Sequence, residues 1–222
     1  SLGSVGASGD LAPLSHLACA MIGEGDVIYK GKTLSSKKAL HSERLKPVEL
    51  HAKEGLSLIN GTQVSTALGV KALFEARNLL YSADIISALS VESSLSTRQV
   101  FNSSIHKLKK HRGQNISAKN IYNLLNGSEI VSSHKDCDKV QDPYCMRCIP
   151  HIHGTSWEVF SNTEKTINNE INSISDNPLI FPNRSIRNSG HFHAEPVAQA
   201  LDSLSVAISE IGAISERRIH YI

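Results

Sequence analysis

The chain has little of what would mark a specialised class. Four cysteines in 222 residues are too few for a disulfide scaffold, so reduced thiols in a cytoplasmic protein are expected. A formal net charge of +2 gives no electrostatic footprint for nucleic acid or for an anionic membrane. No uninterrupted apolar run reaches the roughly 18 residues of a membrane span, and the start carries no secretory pattern. Internal repeats and low-complexity tracts are absent too. The remainder is ordinary: 40% hydrophobic and 20% charged residues, in a chain long enough to bury a core as one large domain or two small ones.

The chain begins without Met, inside a Gly-rich run. It stops at Arg218-Ile219-His220-Tyr221-Ile222 with no cap or breaker after a helical pattern. Both ends imply a piece of a longer polypeptide.

Hydrophobic spacing predicts a mainly α protein. Pro13 to Ile22 reads as a short helix, with Asp10 as its cap and Gly23 and Gly25 past its end. Asp26 to Leu50 is a polar surface excursion with room for a short hairpin. From Thr62 to about Leu95, Val64, Leu68, Leu73, Leu79, Leu80, Ile85, Ile86 and Leu89 recur at three-to-four spacing, which predicts a long buried helix or two joined ones. Ser117 to Leu125 is a further short helix ended by Gly127. Ser132 to Gly154 has neither periodicity and reads as a functional loop. Trp157 to Ser173 resumes a helix, and Asp176-Asn177-Pro178 breaks it. Pro196 opens a last helix with Val197, Leu201, Leu204, Ile208, Ile211 and Ser215 on one face, and with Val206, Ala207, Ala213 and Ile214 widening the apolar surface. Such a helix belongs in the middle of a bundle or at a subunit interface.

The most informative segment is Gly3-Ser4-Val5-Gly6-Ala7-Ser8-Gly9-Asp10-Leu11-Ala12-Pro13-Leu14. No Lys follows at P-loop spacing and no strand-like run precedes it, so the nucleotide-binding motifs fail their context test. What remains is a backbone able to fold sharply on itself, with Gly6 and Gly9 permitting close approach of successive peptides. An internal cyclisation needs that freedom: the Gly9 amide nitrogen attacks the Ala7 carbonyl and water is lost. Three further motifs follow in order. They are Leu58-Ile59-Asn60-Gly61-Thr62-Gln63; the stretch Ser133-His134-Lys135-Asp136-Cys137-Asp138-Lys139-Val140-Gln141-Asp142-Pro143-Tyr144-Cys145-Met146-Arg147-Cys148; and a set running from Ser175-Asp176-Asn177-Pro178-Leu179 through Phe192-His193-Ala194-Glu195-Pro196 to Ser215-Glu216-Arg217-Arg218.

Together these motifs resemble the histidine and aromatic amino acid ammonia-lyases over essentially the whole chain. The resemblance implies a fold of long antiparallel helices forming a central bundle, with irregular active-site loops. Residues 1–222 would be the central part of one catalytic domain, truncated at both ends. It implies a 4-methylidene-imidazole-5-one (MIO) formed autocatalytically from Ala7, Ser8 and Gly9, with Ser8 giving the exocyclic methylene. Asn60 and Tyr144 would lie beside this ring and the substrate's amino group. Arg147 would hold the substrate carboxylate, since a planar guanidinium offers two parallel donors. Gln141 would orient substrate, Phe192 would pack near the electrophile, and Glu195 would complete the substrate-binding set. The form His-Lys-x-Cys-Asp-Lys-Val-Gln-Asp-Pro-Tyr resembles the histidine-specific members, which implies conversion of L-histidine to trans-urocanate and ammonia. Tyrosine or phenylalanine lyases and aminomutases of the same fold remain the alternative, because some keep Asp-Pro-Tyr. The family's cytoplasmic homotetramer, with active sites shared between subunits, is the implied assembly. A catalytic Tyr before this chain's start and an active-site Glu beyond its end are missing, so the 222-residue chain alone is expected to be inactive.

Each residue also has a plainer role available. Asn60-Gly61 makes a simple turn pair, Arg147 a structural ion-pair residue, Tyr144 a core aromatic, and Glu195 a helix-start carboxylate. Cys145-x-x-Cys148, with Cys137, His134, His151 and His153 nearby in sequence, has ligand types that zinc accepts. A metal-binding or non-catalytic helical homologue is therefore a second alternative. Against it, Cys137 and Cys148 belong to the lyase motif, where the family holds no metal, and none is expected. Of His191-x-His193, the lyase motif already explains His193. The family usually has Gln where His151 stands and Gly-Asn where Gly190-His191 stands, and His151 adds a group that titrates near neutral pH.

Overall fold

The computed structural model describes Gly3 and residues 6–222. Ser4 and Val5 of the Gly-rich segment lie outside the described residues. The chain is mainly α. Ten α-helices are described: α1 Leu11–Met21, α2 Ser36–Ser42, α3 Glu54–Ile59, α4 Gln63–Ser93, α5 Ser103–His106, α6 Arg112–Leu124, α7 Glu129–Ser133, α8 Tyr144–Arg147, α9 Ile149–Ile171 and α10 Glu195–Tyr221. Two antiparallel hairpins pair β1 Asp26–Tyr29 with β2 Lys32–Ser35, and β3 Leu179–Ile180 with β4 Ile186–Arg187. Contacts divide the chain into two units, residues 1–70 with 166–199, and residues 71–165 with 200–222.

The first unit holds α1 to α3, both hairpins and the ends of three long helices. Asp10 occupies the N-cap position of α1, yet its side chain does not cap that helix. Its buried carboxylate instead accepts the Ser65 N–H at 2.7 Å, and the Ser65 hydroxyl as well. Asp10 thus caps α4, a helix distant in sequence, where first-turn N–H groups have no partner of their own.

The second unit is built from long antiparallel helices. Arg77 pairs with Glu164, and Asp84 with His153, which sets α4 against α9 in opposite directions. The Ser156 hydroxyl donates to the Ala207 carbonyl at 2.8 Å and that of Thr163 to Ala200 at 3.1 Å, which does the same for α9 and α10. Ala88, Val91, Phe101, Ile121, Leu125, Met146, Ile149 and Ile214 form the core between them. Where α6 meets α9, Gly113 and Gly154 lie backbone to backbone: a Cβ on Gly154 would collide with the Gln114 main chain, and one on Gly113 with the Gly154 carbonyl.

Three expectations change. Helix begins inside the supposed 132–154 loop, because α8 and the start of α9 lie there and only 134–143 stays without regular structure. Pro150 in the first turn of α9 sacrifices no hydrogen bond. The face of that helix is disguised by His153, which is fully buried against Asp84, and by Gly154 at the crossing. On α4, Leu73 and Leu80 are buried, but Leu68, Leu79, Ile85, Ile86 and Leu89 are exposed. The packed face uses Ala76, Ala83, Asp84, Ser87, Ala88 and Val91, small side chains that let helices approach closely. Third, α6 starts at Arg112 rather than Ser117.

Helix α10 is long and apolar enough to cross a membrane by length and composition, a test that core helices also pass. Its buried line runs through Val197, Leu204, Ala207, Ile211 and Ile214 to Arg218, which is 2% exposed.

Candidate active site

In the first unit the Gly6–Asp10 segment is tied down on both sides. The Ala7 carbonyl accepts the Ala194 N–H at 2.6 Å, and the Asp10 N–H donates to the Gly61 carbonyl at 3.0 Å. Between these anchors Gly9 adopts φ +104°, a conformation that L side chains avoid. A Cβ there would stand 3.5 Å from the Phe192 carbonyl and 3.9 Å from the Phe192 ring. Gly6 is different: its surroundings are open and its φ is ordinary, so only Gly9 uses the freedom expected of both. Ser8 is exposed, and Ala7 and Gly9 are half-buried.

The hydrogen bond to Ala7 also bears on reactivity. An N–H donor on a carbonyl oxygen withdraws charge from its carbon and stabilises negative charge developing on the oxygen. The Ala7 carbonyl, the atom pair that ring closure would attack, carries such a donor.

Asn60 ends α3, and its Nδ2 donates to the Asn177 carbonyl at 2.9 Å. Asn60, Gly61, Phe192 and the triplet therefore belong to one unit. The lone turn-pair role does not describe Asn60, whose side chain reaches across to a segment more than a hundred residues away in sequence. Glu195 begins α10, is exposed, and accepts the Gln199 amide at 2.8 Å.

In the second unit Tyr144 opens α8 and is 72% exposed, so it is not a core aromatic. The Arg147 guanidinium lies 4.5 Å above its ring, and the buried Arg147 Nε has no hydrogen-bond partner. Arg147 thus makes no described ion pair, which is the condition for it to receive an anion. Gln141 is exposed on the preceding loop. The buried Asp142 anchors that loop by accepting the Thr97 N–H at 2.7 Å. In the sequence Asp142 is marked only by its place before Pro143, and no local pattern assigns it this anchoring role.

His151 has a buried Nδ1 without a partner among the described residues. Burial, together with the neighbouring His106, Lys109 and His111, holds its imidazole below the ordinary value of 6.5. Cys145 and Cys148 are free, half-buried thiols, and Cys137 is a free exposed one. No group of three or more His, Cys, Asp or Glu with metal-binding geometry occurs among the described residues.

Comparison with known proteins gives this geometry its context. The family model described as aromatic amino acid lyase matches residues 1–222. Over 219 residues, 98% of the chain, it is 48% identical to a histidine ammonia-lyase of Vibrio vulnificus and 46% identical to one of Yersinia enterocolitica. The crystal structure of histidine ammonia-lyase from Trypanosoma cruzi superposes with a TM-score of 0.86 at 39% identity, covering 97% of this chain and 41% of that one. The chain spans 43% of the length of each of the two curated relatives. With the family model matched from end to end and the same mainly α fold in its relatives, the chain belongs to the aromatic amino acid lyase family.

Proposed function

We propose that this chain carries part of the active site of an enzyme that eliminates ammonia from L-histidine to give trans-urocanate. The observation that carries the proposal is the clamped triplet: Ala7 polarised by the Ala194 N–H, Gly9 in a left-handed conformation, and Asp10 fixed to Gly61 and Ser65. In ring closure the Gly9 nitrogen bonds to the Ala7 carbonyl carbon, whose oxygen leaves as water; Ser8 loses its hydroxyl and α-hydrogen as a second water. The space around Gly9 suits the group, since only a residue without Cβ adopts its backbone freely beside Phe192. Once formed, the MIO would supply an electron sink for an amine that is otherwise a poor leaving group.

The other residues bind and orient. Arg147, whose buried Nε has no partner among the described residues, holds the substrate carboxylate through parallel N–H donors. Tyr144 presents its hydroxyl from an exposed ring braced by that guanidinium. Asn60 sits beside the substrate's amino group, Gln141 helps orient the substrate, Phe192 shields the electrophile, and Glu195 stands at the positive end of α10, able to accept from a substrate donor. Histidine follows from the relatives that the chain resembles at 46 and 48% identity. The assembly is a cytoplasmic homotetramer whose active sites are shared between subunits, and the exposed apolar residues of α4 suit such contacts.

Intact-mass measurement on the protein expressed from its full reading frame tests the chemistry, because loss of two waters lowers the mass by about 36 Da. Appearance of urocanate absorbance with L-histidine tests the substrate. An unshifted mass overturns the mechanism; a shifted mass with turnover of tyrosine or phenylalanine alone overturns the substrate.

A further inference from the structure

Helix α3 has six residues, and both of its ends are gripped by the same dipeptide, Asp176-Asn177. At its start Lys53, in a left-handed conformation at φ +75°, points its ammonium into the Asp176 carboxylate. The same ammonium donates to the Ser57 hydroxyl at 2.8 Å, and Ser57 in turn donates to Asp176 at 3.1 Å. The other Asp176 oxygen accepts the Asn177 N–H at 2.7 Å. At the end of the helix the Asn177 carbonyl takes the Asn60 amide, while the Asn177 side chain accepts the Ser189 N–H at 2.8 Å. The Lys53 and Asp176 side chains are each only 18% exposed, so solvent screens this pair less than a surface ion pair. Burial works against the Asp176 charge, but the donors Lys53, Asn177 and Ser57 outweigh it and hold the carboxyl below its ordinary range.

The consequence falls on Asn60. Its Nδ2 is committed to the Asn177 carbonyl, so the amide plane is fixed. Oδ1 has no hydrogen bond among the described residues, and an amide oxygen only accepts. A substrate ammonium only donates. The fixed amide therefore presents the one group that matches an amino acid's ammonium.

We propose that Lys53 and Asp176 are positioning residues for Asn60: by holding the start of α3 on Asp176, next to the Asn177 carbonyl that takes the Asn60 amide, they fix that amide with Oδ1 free to accept from the substrate's ammonium. The proposal deepens the lyase reading and rests on it. It separates two roles that side chains in this region combine, since Lys53 acts through Asn60 and does not touch the substrate.

The test is a double-mutant cycle on the protein expressed from its full reading frame, with kcat and KM measured for Lys53→Met, Asn60→Ala and the pair. Misplacing a reacting group by about 1 Å costs up to about 100-fold, so Lys53→Met is expected to lower kcat by roughly 10- to 100-fold, more than it raises KM. In the Asn60→Ala background, where there is no amide to orient, Lys53→Met is expected to lower kcat no further. Lys53→Arg keeps a cation on Asp176 and is expected to restore most of the loss. The two-water mass loss is expected to be intact in each single variant. If Lys53→Met does not fold, Ser57→Ala, which removes the hydroxyl between Lys53 and Asp176 but leaves their ion pair, takes its place in the cycle. An unchanged kcat, or losses that multiply in the double variant, overturn the positioning role. Wild-type turnover of an aromatic amino acid other than histidine overturns only the substrate reading, and the cycle is run with that amino acid. Turnover of none overturns both.

Discussion

Asp84 gives the sharpest test of what holds the second unit together. It lies on α4, 1% exposed, and accepts three side-chain donors at 2.8 Å: Ser117 Oγ and His153 Nδ1 on one oxygen, and Asn120 Nδ2 on the other. Those donors come from α6 and α9, so a single carboxylate joins three helices. Each hydrogen bond to a charged group contributes about 1.5–3 kcal/mol. The sum overshoots, because the bonds share one acceptor and removing the carboxylate also removes its own desolvation cost. Breaking a buried, paired charge typically costs about 3–5 kcal/mol, and that is the loss expected for Asp84→Ala. At about 2–4 °C per kcal/mol for a chain of this size, the melting temperature should fall by roughly 10 °C. Asp84→Asn keeps one acceptor oxygen but sets an amide donor against an existing donor, so it should cost about 2 kcal/mol. Adding Asn120→Asp turns the opposing donor into an acceptor and should recover at least half of that loss. Urea denaturation at fixed protein concentration measures all three. A loss below about 1 kcal/mol for Asp84→Ala, the size of an ordinary surface change, would refute the account.

The remaining predictions concern backbone and charge. Gly154→Ala drives a Cβ into the Gln114 main chain and should destabilise by about 3 kcal/mol or prevent folding, whereas Gly212→Ala, with open space around it, should be neutral or stabilising in the same melting assay. Gly9→Ala, forced to φ +104°, costs about 1–2 kcal/mol in the clamped conformation and should leave the intact mass unshifted; a mass still short by two waters would show that the left-handed conformation is dispensable. For His151 the sign follows from its depressed affinity for protons: well above 6.5 both folded and unfolded chains hold it neutral, and as pH falls from 6.5 toward the lower folded value the unfolded chain gains the proton first, so stability falls across that window. His151→Gln should flatten that decline, measured by denaturation midpoints between about pH 5 and 7.5.

The segments proposed to carry chemistry stand out in the sequence because they are contiguous: the triplet, Asn60 before Gly61, and Tyr144 to Arg147 each occupy a few adjacent positions. The long helices were legible from their period wherever large apolar residues mark the buried face, as at Leu73, Leu80, Val197 and Leu204. Periodicity misled where the interior is lined by other residues. On α4 the packed face is Ala, Ser and Asp, so the conspicuous Leu and Ile residues were assigned to the wrong side. At the start of α9, His153 and Gly154 are core residues for reasons set by α4 and α6: one donates to Asp84, the other admits a neighbouring backbone. Neither partner is near in sequence. Asp10 was expected to cap its own helix and caps α4 instead, a choice that local sequence does not encode.

That last exchange explains how the Gly6–Asp10 turn is secured. The groups that hold it sit at helix ends: the Gly61 carbonyl just before α4, the Ser65 N–H in the first turn of α4, and the Ala194 N–H just before α10. Helix ends carry backbone donors and acceptors with no partner within the helix, and a buried group of that kind must find one. Here the partners are the Ala7 carbonyl, the Asp10 N–H and the Asp10 carboxylate. The turn is therefore anchored by bonds that the surrounding helices would make in any case, rather than by burying Ser8, which stays exposed. An anchored backbone with an exposed serine leaves free the side chain whose hydroxyl would depart in the proposed ring closure, and places the left-handed conformation at Gly9, the residue best able to adopt it.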